Sequence, residues 1–207
     1  MVSNTRILET LSLAILTSPA IAAVVTITAS PTIPSTVPQY TDEAKFTSAI
    51  LNSTNFYRDE YNASALVWNT TLEHYASEYV NSTGDDCTFE HSGGPYGENL
   101  AKGYPNATAS VEAWGNEGED YNFKKPGFSE DTGHFSQLVW KNTTDVGCGR
   151  KLCGTSGWYV VCEYWPAGNV IGQFDGEVDK PVSAGGRNSY SDWMVTAALL
   201  IGVWAVA

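Results

Sequence analysis

The sequence predicts an α+β fold in which helices pack against a sheet that is not parallel. Apolar residues recur at helical spacing in the first part of the domain, and alternating β-branched and aromatic residues follow only near its end. No regular alternation of strand and helix runs along the chain, as a parallel sheet would require. The 207 residues suffice for one domain with a substantial core and some length left at both ends.

The first predicted helix lies in YTDEAKFTSAILNSTNFYRDEY, residues 40–61, and Asp42 is its expected N-cap. Its apolar positions, which fall near helical spacing, are Phe46, Ala49, Ile50 and either Phe56 or Tyr57. A second helix is predicted in TTLEHYASEYV, with an inward face formed by Leu72, Tyr75, Ala76 and Tyr79. His74 lies off that face, so we expect it at the surface.

The segment HSGGPYGENLAKGYP, residues 91–105, is predicted to be a loop because its glycines and prolines disfavour regular structure. SVEAWGNEGEDYNF then predicts a short helix with Val111 and Trp114 facing inward. Near the end, GWYVVCEYWPAGN predicts a strand that pairs with DVGCGRK across LCGTS.

Both ends of the chain are typical of sorting signals. Residues 1–22 predict a secretory signal peptide, because Arg6 precedes an apolar stretch and Ala20 and Ala22 provide a small-x-small cleavage site. An amphipathic first helix is the alternative, since Glu9 interrupts the apolar stretch. Residues 23–40 are rich in Ser, Thr and Pro and predict an extended linker.

At the C-terminus, residues 195–207 form an uncharged apolar tail, shorter than the roughly 20 residues that a membrane-spanning helix needs. The spacer at residues 180–194 contains small residues that are candidate sites for a glycolipid anchor, namely Ser183, Ala184 and Gly185. We therefore expect the tail to be removed. A buried terminal helix is the alternative, and release by a phosphoinositide-specific phospholipase would distinguish the two.

Glycosylation sequons and cysteines also fit a secreted protein. Six Asn-x-Ser/Thr sequons occur, at Asn52, Asn62, Asn69, Asn81, Asn106 and Asn142. Four cysteines predict two disulfides in an oxidising compartment, with three pairings open: Cys87, Cys148, Cys153 and Cys162. The formal net charge of −12 argues against a nucleic-acid partner, because phosphate binding needs a basic surface.

Two histidines and two acidic residues form a candidate polar site. His91 is followed by Glu98, and Glu117 precedes His134. Two imidazoles and two carboxylates brought together by folding can bind a divalent metal or transfer protons. Their separations match no local ligand motif, so a hydrogen-bonded network that joins loops is the alternative.

The segment EDYNFKKPGFSED, residues 119–131, is here called the aromatic loop. Tyr121, Phe123 and Phe128 recur along it, and Pro126 followed by glycine predicts a bend. Three aromatic rings on a bent loop can cover a flat apolar ligand and remove its surface from water. The alternative is that Tyr121 and Phe128 pack against the sheet.

Three ordered motifs resemble the CAP superfamily of cysteine-rich secretory proteins, venom allergens and class 1 plant pathogenesis-related proteins. They are HSGGPYGENLA, GHFSQLVWKNT and YVVCEYWPAGN, and the resemblance covers about residues 42 to 178. The sequence before the second motif is similar to secreted fungal Pry-type sterol-binding members. The resemblance implies a CAP domain at residues 41–179 with a three-layer α-β-α sandwich and a central, mostly antiparallel sheet.

The same resemblance implies roles for individual residues. His91, Glu98, Glu117 and His134 match the residues that line the family's central cavity, where the two histidines hold a divalent cation, often Zn²⁺, in some members. It also implies disulfides from Cys87 to Cys153 and from Cys148 to Cys162. Two departures, Glu163 after the last cysteine and Thr54 in place of a histidine, are interpreted as local surface or packing variation.

Two functions follow from these features. The main expectation is a secreted or surface-attached protein, on the outer leaflet or cell wall, that binds sterols or other small lipids through Tyr121, Phe123, Pro126 and Phe128. No cofactor is required for that binding. The alternatives are a metal-dependent hydrolase with Glu98 or Glu117 as base, and a surface glycoprotein for host interaction. Because two histidines are fewer ligands than catalytic zinc usually has, and no GxSxG or HExxH motif occurs, an enzyme is disfavoured.

Overall fold

The computed structural model describes residues 35–182. The predicted signal peptide, the linker up to residue 34, the anchor candidates Ser183, Ala184 and Gly185, and the apolar tail lie outside the described residues. Within residues 35–182, no helix is both long and apolar enough to cross a bilayer.

A four-stranded sheet forms the middle of the fold. Its strands are β1 (Val67–Trp68), β2 (Gly97–Lys102), β3 (Asp145–Leu152) and β4 (Trp158–Trp165), in the spatial order β1-β3-β4-β2. Only β1 runs parallel to its neighbour, β3, and the other two pairs are antiparallel. The prediction of a mostly antiparallel sheet with a β3–β4 hairpin is therefore confirmed.

Helices cover both faces of this sheet. Helix α1 spans Pro38–Thr41, α2 Glu43–Glu60, α3 Thr70–Ser82, α4 Ala107–Asn116, α5 Gly133–Leu138 and the short, kinked α6 Phe174–Glu177. On one face, α3 packs through Ala76 and Val80 against Val161 of β4. The α2, α4 and α5 residues pack with the other face in a second cluster that includes Trp140. The fold is thus the expected α-β-α sandwich.

The predicted helices are confirmed, and their caps explain where they begin. The Asp42 side chain accepts a hydrogen bond from the backbone N–H of Lys45 at 2.9 Å, which satisfies a free donor at the start of α2. Phe46 and Ile50 are buried on the inner face of α2, whereas Phe56 is exposed. His74 on α3 is exposed as predicted.

Two boundaries differ from the sequence-based expectation. The segment predicted as a loop at residues 91–105 contains β2, which pairs along its length with Tyr159 to Tyr164 of β4. Its Gly, Glu and Asn residues have low strand propensity, so the partner strand decides its conformation. Tyr40, expected in the linker, is buried and stacks on Trp158 with ring centroids 4.9 Å apart, so the folded unit begins before residue 41.

One disulfide links the two strands of the β3–β4 hairpin, and another links the hairpin to the segment after α3. Cys148 and Cys162 face each other across β3 and β4, and Cys87 is joined to Cys153 at the hairpin's end. These are the two pairs that the family resemblance implies. The second bridge fixes the segment that follows α3, and that segment carries His91.

Candidate functional site

His91 and Glu98 form the first of two hydrogen-bonded His–Glu pairs. Nδ1 of His91 lies 2.5 Å from Oε1 of Glu98, whose carboxylate also accepts from the backbone N–H of Ser92 at 3.0 Å. Glu98 is nearly buried at the start of β2, and the His91 side chain is 63% exposed. The tyrosine hydroxyls of Tyr79 and Tyr159 donate to the carbonyl of Glu90, which holds the backbone beside His91.

His134 and Glu117 form the second pair. Nδ1 of His134 lies 2.6 Å from Oε1 of Glu117. The other carboxylate oxygen accepts from the backbone N–H groups of His134 and Phe135 at 3.0 and 3.1 Å. Glu117 therefore orients the imidazole and also satisfies free donors at the start of α5.

Residues that the sequence did not single out hold the second pair in place. The side-chain amide of Asn99, next to Glu98 on β2, donates to the carbonyl of His134 at 3.0 Å. The indole of Trp114 lies nearly parallel to the His134 imidazole, with centroids 6.3 Å apart. Trp114 was predicted to face inward, but nothing in the sequence links Asn99 to a residue 35 positions away.

The pairs leave one nitrogen of each imidazole available to a ligand. Among residues 35–182, no hydrogen bond uses Nε2 of His91 or His134. An imidazole that donates Nδ1–H to a carboxylate is the usual arrangement of a metal-binding histidine. However, the described residues contain no group of three or more His, Cys, Asp or Glu side chains that could hold a metal ion.

The two imidazoles are also fewer than the three protein ligands that a catalytic zinc site usually has. Both carboxylates are also engaged by an imidazole and by backbone N–H groups, which disfavours Glu98 and Glu117 as general bases. A cleft of about 260 Å³ is lined by His91, Glu98, Gln137 and Asn169. His134 lies one helical turn before Gln137 on α5.

Glu163 lies directly across the sheet from Glu98 and is fully buried. Of the two interpretations of this residue, surface or packing variation, only packing is compatible with this burial. Neither carboxylate oxygen has a hydrogen-bond partner among residues 35–182, as an ionised carboxylate in the interior would need. Burial first, and then the charge of Glu98, raise the pKa of Glu163 to about 9, so it is a neutral acid at pH 7.

The aromatic loop connects α4 to α5, and its three rings differ in exposure. Tyr121 is buried, with its ring centroid 4.9 Å from that of Phe123 and 5.4 Å from that of Phe135 on α5. Phe123 also stacks on Tyr61 of the segment after α2. Phe128 is 53% exposed. Tyr121 is thus packed against α5 and its own loop, and Phe128 is the exposed ring.

Three cavities meet at this loop, and Pro126 lines all of them. A cavity of about 610 Å³ lies within the loop, and one of about 300 Å³ lies between Phe128 and Ile171. A third, of about 420 Å³, lies between Phe123 and Val178. The loop is therefore surrounded by open volume of the size that small ligands occupy.

A separate groove of about 870 Å³ lies along α2 and α4, beside Ala49, Phe56 and Tyr57. Asn52, one of the six sequon residues, lines it. The other exposed sequon residues are Asn62, Asn81 and Asn142. Asn69 and Asn106 are partly buried and cap α3 and α4 with their side-chain oxygens.

Comparison with known proteins gives consistent matches. A model of the cysteine-rich secretory protein family, CAP, matches residues 51–164, more than half of the chain. Protein PRY2 of Saccharomyces cerevisiae is 49% identical over 131 residues, which cover 62% of this chain and 40% of that protein. Secreted protein RBT4 of Candida albicans is 40% identical over 136 residues, which cover 63% of this chain and 37% of that protein. The matched part is thus less than half the length of these two relatives.

Solved structures give the same fold. Schistosoma mansoni venom allergen-like protein 4 superposes with a TM-score of 0.51 at 25% identity, and the match covers 66% of this chain and 93% of that one.

Proposed function

Because the chain belongs to the cysteine-rich secretory protein (CAP) family, we propose that it is a secreted protein that binds sterols or related small lipids at its aromatic loop. The observation that carries the proposal is the position of Pro126, which lines three cavities, two of which are also lined by the exposed ring of Phe128. A flat apolar ligand placed against Pro126 and Phe128 would bury both its own apolar surface and the exposed ring of Phe128.

The chemistry of the cavity walls suits an amphipathic ligand. The cavity within the loop has polar walls that include Asn122, Lys125 and Asp131. The cavity on the other side of Phe128 is lined by Ile171 and Phe174. Burial of apolar surface stabilises a complex by about 25 cal/mol per Å², so the apolar side supplies affinity and the polar side orientation.

The test is saturable binding of tritiated cholesterol to the full-length chain, secreted from a eukaryotic host so that both disulfides form. Phe128→Ala is expected to weaken binding at least tenfold, because it removes the exposed ring without opening the core. Phe89→Ala is the matched control, since Phe89 is 52% exposed and lines neither the cavities at the aromatic loop nor the groove along α2 and α4. No saturable binding to the folded wild-type protein, or equal losses in both variants, would contradict the proposal.

We also propose that His91 and His134 bind a divalent cation such as Zn²⁺ through Nε2, independently of the lipid. The two orienting carboxylates support this, and water would complete the coordination. Zinc titration by calorimetry should give a one-to-one site that is lost in His134→Ala, while His74→Ala, which changes the exposed histidine, retains it. A chelator should leave cholesterol binding unchanged. Loss of lipid binding with the chelator would contradict the separation of the two sites.

The groove along α2 and α4 favours a second lipid class. Its length along two helices and its apolar residues Ala49 and Phe56 suit a single acyl chain. A labelled long-chain fatty acid should still bind to Phe128→Ala and should bind much more weakly to Ala49→Trp, which fills the groove. If Phe128→Ala, and not Ala49→Trp, weakens fatty-acid binding, both lipid classes bind at the aromatic loop.

Export and attachment to the cell surface complete the proposal. Passage through the secretory pathway agrees with the two disulfides and with the name of the relative RBT4, a secreted protein. Attachment through Ser183, Ala184 or Gly185 stays a prediction from the sequence. Treatment of intact cells with a phosphoinositide-specific phospholipase should release the protein into the medium, and retention on the cells would contradict the anchor.

A further inference from the structure

The Tyr121 hydroxyl is a buried polar group whose proton has no hydrogen-bond acceptor. Tyr121 is 6% exposed, and no group among residues 35–182 accepts a hydrogen bond from its hydroxyl. Burial raises the pKa of Tyr121, and the neighbouring backbone N–H of Gly127 partly offsets that rise. Because an N–H group only donates, the hydroxyl proton has no acceptor. A buried hydroxyl in this state destabilises the protein unless a ligand satisfies it.

The place of this hydroxyl suggests what that ligand is. Tyr121 lines the 610 Å³ cavity within the aromatic loop, together with Pro126, Gly127 and Phe128. The next cavity shares the last three residues and adds Ile171 and Phe174. A rigid ligand with a single polar end could therefore place that end near Tyr121 and its apolar body along Phe128.

Gly127 lies beside the Tyr121 hydroxyl and faces open space. A side chain at Gly127 would meet no atom within 4 Å, so a ligand has room on that side of the loop. The Tyr121 ring, in contrast, is fixed by Phe123 and Phe135. The hydroxyl is therefore held in place beside the open side of the loop.

We propose that the Tyr121 hydroxyl donates a hydrogen bond to the C3 oxygen of a bound sterol and so selects sterols with a polar group at C3. This inference rests on the proposed sterol binding at the aromatic loop. It assigns Tyr121 to specificity and leaves most of the affinity to the apolar contacts with Phe128.

The test combines one variant with two ligands. Full-length wild-type protein and Tyr121→Phe are titrated with cholesterol and with 5-cholestene, which lacks the C3 hydroxyl. Wild-type protein should bind cholesterol about tenfold more tightly than 5-cholestene, as expected for one buried hydrogen bond. Tyr121→Phe should lose that preference by weakening cholesterol binding alone. Phe128→Ala, the control, should weaken the binding of both ligands equally.

Thermal unfolding supplies a second measurement. Since the hydroxyl proton has no acceptor in the ligand-free protein, Tyr121→Phe should unfold at the same or a higher temperature. A lower temperature would show that the hydroxyl has a structural partner and would overturn the inference. If Tyr121→Phe and wild type bind cholesterol with equal affinity, the inference about Tyr121 is overturned, but the proposed sterol binding is not. If wild-type protein binds neither ligand, the proposed function fails and the inference fails with it.

Discussion

At the scale of single residues, Glu163 is the side chain whose environment departs most from its ordinary chemistry. A carboxyl group that is neutral in the folded protein and ionised in the unfolded chain links stability to pH. Its pKa is raised from 4.5 to about 9 by burial and by Glu98. Between pH 4.5 and about pH 9, Glu163 carries a proton in the folded protein but not in the unfolded chain. Its ionisation in the unfolded chain therefore lowers the free energy of unfolding as the pH rises above about 4.5.

We therefore expect Glu163→Gln to stabilise the protein at neutral pH, by about 2 kcal/mol at pH 7, and to have little effect at pH 4. The amide keeps the shape of the protonated acid and cannot ionise. Urea unfolding at pH 4, 6 and 8 measures the effect, with the exposed Glu112→Gln as control. An unchanged difference between variant and wild type at all three pH values would contradict the assignment of a neutral Glu163.

The six sequons differ in how exposed their asparagine residues are. An N-linked glycan is attached to the amide nitrogen of asparagine, so the side-chain oxygen can still cap a helix. The amide nitrogen of Asn69, however, donates a hydrogen bond to Asp145 at 3.0 Å. We expect higher glycan occupancy at the exposed residues Asn52, Asn81 and Asn142 than at Asn69 and Asn106. Glycopeptide mass spectrometry of the secreted protein measures this. Full occupancy at Asn69 together with empty exposed sequons would contradict it.

At the scale of elements, Arg58 joins α2 to the end of α5. Its guanidinium is buried and donates to four backbone carbonyls, those of Ser64, Leu138, Trp140 and Thr143. Burial lowers the pKa of Arg58 to about 10, so it stays charged at neutral pH. Since cations are favourable beside the free carbonyls at a helix end, Arg58 fixes the helix that carries His134.

Arg58→Met should therefore lower the free energy of unfolding by about 3 kcal/mol, because the apolar stem is kept while the carbonyls lose their donors. Urea unfolding measures the loss. Lys45→Met is the control, since Lys45 lies on the same helix and is exposed. A loss no larger than in the control would show that water replaces the guanidinium.

The elements predicted from sequence were those that local chemistry specifies. Asp42 caps α2, and β4 is rich in β-branched and aromatic residues, so both could be predicted. Strand β2 could not, because Gly97, Glu98 and Asn99 become a strand only beside β4. The candidate histidines were identified as residues, but their pairing with Glu98 and Glu117 depends on the same long-range contacts. Burial of Tyr121 likewise depends on Phe135, on a different element.

At the scale of the whole molecule, the two candidate sites depend on different parts of the fold. His91 follows α3 and is close in sequence to Cys87, whose disulfide with Cys153 spans 66 residues. The aromatic loop lies between α4 and α5 and contains no cysteine. The disulfide should therefore matter for the stability of the domain and for the His91 segment more than for lipid binding.

The double substitution Cys87→Ser/Cys153→Ser is expected to lower the free energy of unfolding by about 4 kcal/mol, because the unfolded chain regains the entropy of a long closed loop. Cys148→Ser/Cys162→Ser, the comparison variant, opens a loop with a separation of 14 and should lose about 3 kcal/mol. Unfolding in urea measures both. At temperatures where the first variant remains folded, its zinc affinity should fall while its cholesterol affinity stays within about twofold of wild type. Parallel loss of both ligands in the folded variant would show that the His–Glu pairs and the aromatic loop form one coupled site.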